Sequence, residues 1–189
     1  MDAFLTSTAV VALAEVGDKT QLLAILLATR LKRPVPIIFG ILAATIANHF
    51  LAALVGAEAA SFLDGKWFRI LIGVSFVAMG LWTLIPDTFE DEANRRPARS
   101  GAFLTTLVAF FLVEMGDKTQ LATIALAARF HTVAAVTAGT TLGMLIANVP
   151  AVLLGDALLK RVPLKVVRIA AAVLFVAIGA WLLFETFAR

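Results

Sequence analysis

The sequence predicts an all-α integral membrane protein in which six transmembrane helices form two inverted-topology three-helix repeats. Three observations carry that expectation. Of the 189 residues, 61% are hydrophobic and only 15% charged, far from the balance of a soluble domain. Six apolar stretches, roughly 3–29, 35–57, 67–86, 102–128, 132–157 and 165–187, each reach the ~20 residues a bilayer helix needs. The second half of the chain also repeats the first at an offset of 99 residues.

Short polar or proline-bearing segments divide the stretches: Arg30 to Pro36, Asp64 to Trp67, Arg129 to Thr132 and Lys160 to Pro163. The first stretch follows Asp2 and has no basic leader, so a retained helix is expected there rather than a cleaved signal peptide. One longer connection, rich in charge from Asp87 to Arg99, separates a first repeat at 1–86 from a second at 102–189, with 87–101 as the link. The offset keeps chemically distinctive residues in register: Glu15/Glu114, Asp18/Asp117, Lys19/Lys118, Gly40/Gly139, Arg69/Arg168, Gly80/Gly179 and Trp82/Trp181. An Ala/Leu/Val-rich composition does not produce such matches by chance. Because three spans is an odd number, the second repeat must enter the membrane in the opposite sense to the first.

Basic residues predict the orientation. Outside the repeated motifs, the first, third and fifth connections with their flanks hold ten Lys and Arg, among them Arg30, Lys32, Arg33, Arg95, Arg96 and Arg99. The opposite side holds four: Lys66, Arg69, Arg129 and Arg189. The positive-inside rule therefore puts the central connection in the cytoplasm and both termini outside. Net charge +3 thus reflects topology rather than a nucleic-acid surface, and with no cysteine neither disulfides nor thiolate metal sites can form.

The chemistry is concentrated in a motif that occurs twice inside apolar sequence, Glu15-Val16-Gly17-Asp18-Lys19-Thr20 and Glu114-Met115-Gly116-Asp117-Lys118-Thr119. A charge at mid-bilayer costs about 3 kcal/mol, so these side chains must face protein or a water-filled cavity. On a continuous helix Glu15, Asp18 and Lys19 share one arc, as do Glu114, Asp117 and Lys118. Thr20, Gln21, Thr119 and Gln120 edge the site. Four carboxylates against two ammonium groups leave a charge of −2 when all are ionised. One divalent cation neutralises that charge, and so do two protons, because burial and mutual repulsion disfavour the charged forms of clustered acids. The donors are hard oxygens, which suit Mg²⁺, Ca²⁺ or Mn²⁺ better than Cu⁺ or Zn²⁺. Gly17 and Gly116 permit either close helix approach or a local helix break.

Asn48, His49 and Asn148 are candidates either for lining the pathway or for interhelical hydrogen bonds. Met115 is expected to pack, Glu185 to be solvated or interfacial, and Trp67, Trp82 and Trp181 to anchor or pack. Other readings compete: intrahelical Glu–Lys bridges that merely lock helices together, an exporter of a cationic organic solute such as a basic amino acid, or a membrane-embedded metal-dependent lipid phosphatase. The last wants a nucleophile or a phosphate-binding arginine, and neither motif contains Ser, Arg or His.

Paired E-x-G-D-[KR]-[TS] motifs in two three-helix halves resemble the cation transporter family that includes MneA-type bacterial manganese exporters and the Golgi Mn²⁺/Ca²⁺ transporter. Glu15, Gly17, Asp18, Lys19 and Thr20 match the first motif, and Glu114, Gly116, Asp117, Lys118 and Thr119 the second. The resemblance spans essentially the whole chain. It implies a secondary transporter, not an enzyme, that exports Mn²⁺ or Ca²⁺ in exchange for H⁺ with no cofactor, the four motif acids holding the metal. The N-terminal extension of eukaryotic members has no counterpart here, so a bacterial inner membrane is the expected location.

Overall fold

A computed structural model of the chain describes residues 1–62, 65–85, 101–155 and 163–188. The predicted link at 87–101, apart from Gly101, lies outside the described residues, as do Asp64, Lys160, Arg161 and Arg189. The described residues form eight helices and no strand: α1 Asp2–Glu15, α2 Lys19–Leu31, α3 Pro34–Phe62, α4 Lys66–Thr83, α5 Gly101–Glu114, α6 Lys118–Phe130, α7 Val133–Leu154 and α8 Leu164–Ala188. Four of them, α3, α4, α7 and α8, are long and apolar enough to cross a membrane.

The expected spans 3–29 and 102–128 are not continuous helices. Each is divided at its motif, into α1 and α2 and into α5 and α6. The cause is local. Gly17 and Gly116 take positive φ, 81° and 78°, which L side chains rarely adopt and which an α-helix cannot contain. Asp18 and Asp117 follow in extended conformation and cap the next helix by accepting from the amides of Thr20 and Thr119. Helices α2 and α6 also end alike, with Lys32 and His131 in the left-handed region and their amides bonded to Ala28 and Ala127 carbonyls. Pro34 and Pro36 open α3 instead of separating it from its neighbour, because a first helical turn needs no amide donor from either.

Packing between the halves is reciprocal. Helix α1 lies along α7 and α5 along α3, while α4 and α8 pair with each other. Gly40 admits the Phe103 carbonyl and Thr106 of α5, and its counterpart Gly139 admits the Phe4 carbonyl and Ser7 of α1. Gly80 meets Ala172 and Val176 of α8, and Gly179 meets Gly73 and Val77 of α4. Every one of these contacts maps onto its partner by the 99-residue offset. Exchange of this kind is the property of a two-fold relation. Residues touching their own counterparts must lie beside the axis, and Phe76 and Phe175 do so with ring centroids 6.1 Å apart. Small residues at the crossings let backbones approach closely enough for dispersion to hold helices together in lipid.

A Cβ at position 139 would lie 2.5 Å from the Phe4 carbonyl oxygen, whereas one at Gly65 would meet nothing within 4 Å. Gly139→Val is therefore expected to destabilise the protein by about 1–3 kcal/mol. Gly65→Ala should stay within about 0.5 kcal/mol of wild type. Thermal unfolding of the two variants in detergent checks both values.

Candidate functional site

The two helix breaks face each other, and around them the acids predicted from the motifs come together. Glu15 closes α1 and Glu114 closes α5; Asp18 and Asp117 stand at the starts of α2 and α6. All four are buried, with 2% exposure or less. One carboxylate oxygen from each of Glu15, Glu114 and Asp117 lies within 4.8 Å of the others. These acids do not converge by sharing a helical arc, as expected from their spacing. The chain turns between Glu15 and Asp18, and the break itself aims both inward.

The lysines reach across to the aspartates of the opposite repeat. Lys19 Nζ lies 2.8 Å from Asp117 Oδ1, and Lys118 Nζ contacts Asp18 Oδ1, so each lysine crosses to the opposite repeat. The threonines stay local: Thr20 Oγ1 donates to Glu15 Oε2 and Thr119 Oγ1 to Glu114 Oε1, both at 2.5 Å. Gln21 and Gln120 staple the breaks. Their Oε1 atoms accept from the Gly17 and Gly116 amides at 2.8 and 2.7 Å, and their amides donate across to the Ala147 carbonyl and the Asn48 side chain.

His49 and Asn148 are equivalent by the offset, and each faces the glutamate of the other half. His49 Nε2 is 3.6 Å from Glu114 Oε1, and Asn148 Nδ2 is 3.5 Å from Glu15 Oε2. Asn48 is not in this inner ring; it donates to the Phe111 carbonyl and accepts from Gln120. The sequence reading missed two residues. Met144 presents its sulfur to Asn148 at 2.9 Å, and Leu164 covers the Gly17 break at 3.1 Å from a Cβ built there. No spacing pattern marks either one. Met115, expected to pack, is 57% exposed. It sits on a break where no described residue comes within 4 Å of a Cβ built at Gly116, whereas Leu164 covers Gly17.

The arrangement has one electrostatic consequence. The two aspartates are matched by the two crossing lysines, which leaves the glutamates as the uncompensated pair. Glu15 Oε1 and Glu114 Oε2 are buried and accept no hydrogen bond from any described residue. Buried acceptors without donors are costly unless a cation or a proton occupies them.

A multi-helix membrane protein with a buried acidic cluster between two broken helices falls in the class of cation transporters. The family model described as "Divalent cation/proton antiporter GDT1" matches residues 3–91 and 102–189. The chain belongs to this family, whose members are transporters and not enzymes. A Vibrio cholerae relative named "Putative manganese exporter" is 46% identical over 93% of this chain and 87% of its own length. "GDT1-like protein 5" of Arabidopsis thaliana is 28% identical over 95% of this chain and 94% of its own. "GDT1-like protein sll0615" of Synechocystis is 29% identical over 93% of each. No solved structure matches the chain.

Removing one member of a buried ion pair strands the other. Lys118→Met should destabilise by about 3 kcal/mol or more, and Lys118→Met with Asp18→Asn by clearly less than the two single changes together. A double-mutant cycle on thermal unfolding in detergent measures the coupling.

Proposed function

We propose that the protein exports Mn²⁺, with Ca²⁺ as a second substrate, in exchange for protons, by alternating access to a site at Glu15, Glu114 and Asp117, with Asp18 at its edge. One observation carries the reading: two repeat-related glutamates share a buried carboxylate cluster, while both aspartates are matched by lysines. The residual charge is then −2 and belongs to Glu15 and Glu114. One M²⁺ or two H⁺ neutralises it, so a site that changes exposure only when neutral exchanges one load for the other.

The dimensions favour an ion over an organic ammonium. Ligands on opposite sides of a Mg²⁺- to Ca²⁺-sized ion lie about 4–5 Å apart. The three carboxylate oxygens, all within 4.8 Å of one another, meet that requirement as they stand. Mn²⁺ is favoured by the name of the Vibrio cholerae relative. Thr20, Thr119, Gln21 and Gln120 hold the acids and the breaks in place, and His49 and Asn148 line the approach to the glutamates.

In the membrane, α1 with α2 and α5 with α6 each serve as one broken span, giving six spans in two inverted repeats, 1–86 and 102–189. Non-helical backbone at bilayer depth is tolerated where protein buries it or where it lines a water-filled cavity; Leu164 covers the Gly17 break, and the exposed Gly116 break is assigned to the water-filled side of the pathway. The unequal cover, Leu164 over Gly17 and no described residue over Gly116, suits one of two access states. The count of basic residues sets both termini outside and residues 87–101 in the cytoplasm of a bacterial plasma membrane.

Proteoliposomes holding the purified protein under an imposed pH gradient test the exchange. Mn²⁺ movement should collapse the gradient, Ca²⁺ should do so less, and Glu15→Gln and Glu114→Gln should each cut flux by about 100-fold or more while eluting as folded protein. Absence of metal flux from folded wild type, or wild-type flux in both variants, would overturn the assignment.

A further inference from the structure

One end of the helix bundle, away from the acidic cluster, carries a polar cavity of about 230 Å³ between the starts or ends of α3, α4, α6 and α8. Arg69, Arg129, His131 and Glu185 line it over a floor that includes Phe68 and Ile72. Arg129 pairs with Glu185 at 3.1 Å, and Arg69 makes no ion pair with a described residue. Among the described residues, Arg69 and Arg129 against Glu185 therefore leave the cavity one net positive charge.

Two apolar grooves lead away from it. One, of about 340 Å³, shares Phe68, Ile72 and Ala128 with the cavity and follows α4 past Ser75 to Trp82. The other, of about 370 Å³, shares Arg129 and Leu182 and runs between α6 and α8 from Trp181 past Ile178 to Ala177, beside Leu126 and Phe76. Phe68 to Trp82 covers about 21 Å of helix axis, enough for an acyl chain to cross its ~15 Å leaflet. Side chains around the cavity mark the level where hydrocarbon meets head groups. Trp67 is 82% exposed, and the Lys66 ammonium sits 5.0 Å from the centre of the Phe187 ring.

We propose that this cavity and its two grooves bind one anionic diacyl phospholipid, with the phosphodiester between Arg69 and Arg129 and one acyl chain in each groove. A single negative head group matches the single positive charge of the cavity. A zwitterionic lipid would add an ammonium group beside Arg69, where Glu185 is already engaged by Arg129. The ligand would join α6, which begins at Asp117 and Lys118, to the α4–α8 pair at its far end.

Native mass spectrometry of the detergent-purified full chain, given equal dioleoylphosphatidylglycerol and dioleoylphosphatidylcholine, tests the assignment. Wild type should retain one phosphatidylglycerol with about fivefold or greater preference, and Arg69→Gln should bring that preference to within about twofold of unity. Ala78→Phe, which fills the first groove, should lower retention of both lipids. Excess inorganic phosphate should leave the adduct intact. Equal retention of the two lipids by wild type would overturn the proposal, as would an unchanged preference in Arg69→Gln. Displacement by phosphate would also overturn it, by showing a free-anion site. Arg69 and Ala78 are both exposed, circular dichroism checks that the variants are helical, and the wild-type preference decides the matter should either fail to fold.

Discussion

The structure depends on two ion pairs that cross between the repeats, Lys19 with Asp117 and Lys118 with Asp18. Each aspartate has a second task, accepting from the backbone at the start of a helix, so a single carboxylate both ends a break and attaches it to the other half. An unpaired charge at this depth would be expelled or neutralised. Paired, the four groups leave the two glycine breaks chemically quiet. The glutamates one turn earlier keep oxygens that no described residue satisfies. The lysines therefore sort the acids into two kinds: aspartates matched by a cation, and glutamates with an oxygen that no described residue satisfies.

Much of this was legible in the chain because it depends on identity and spacing. Composition gave the helical membrane class, and the 99-residue offset singled out the residues that gather at the centre. What the offset could not give was who pairs with whom. Helical periodicity placed Glu15 and Lys19 on one arc and suggested a bridge within the motif; a break at Gly17 removes the periodicity, and the lysine turns to the other repeat. The glycine was visible, and both of its possible roles were open, but only a φ of 81° decides for the break. Met144 and Leu164 carried no signal, since either would pass for ordinary apolar filling. The Arg69, Arg129 and Glu185 cavity was hidden for a related reason. Its residues are about 60 apart in sequence and share no motif, and packing alone unites them.

The reciprocity of the contacts limits what each half can do alone. Gly40 receives α5 as Gly139 receives α1, and Gly80 and Gly179 sit on opposite sides of one crossing. Neither half can shift its first helix, α1 or α5, without moving against α7 or α3 of the other. Interfaces of small residues in close contact move by sliding as rigid bodies more readily than by deforming, because their packing leaves no slack. Under the proposed exchange, the broken helices would therefore move with their half, carrying Glu15 or Glu114 past a fixed partner across the axis.

Under the proposed exchange, departures from the two-fold bear on direction. In two halves of identical sequence, the two access states of an inverted repeat would be related by symmetry and equal in energy. Here His49 stands opposite Glu114 where Asn148 stands opposite Glu15, and Leu164 covers Gly17 where its counterpart Gly65 has no side chain to cover Gly116. Lys19 is 28% exposed and Lys118 5%. An imidazole and an amide differ in the protons they can hold, and a leucine and a glycine in the apolar contact they can make. Each difference therefore adds to one state an energy that the other lacks. A difference of 1.4 kcal/mol shifts a two-state balance about tenfold. Under the proposed alternating access, these few unmatched positions, rather than the matched acids, are where the sequence would set which side the site faces when empty.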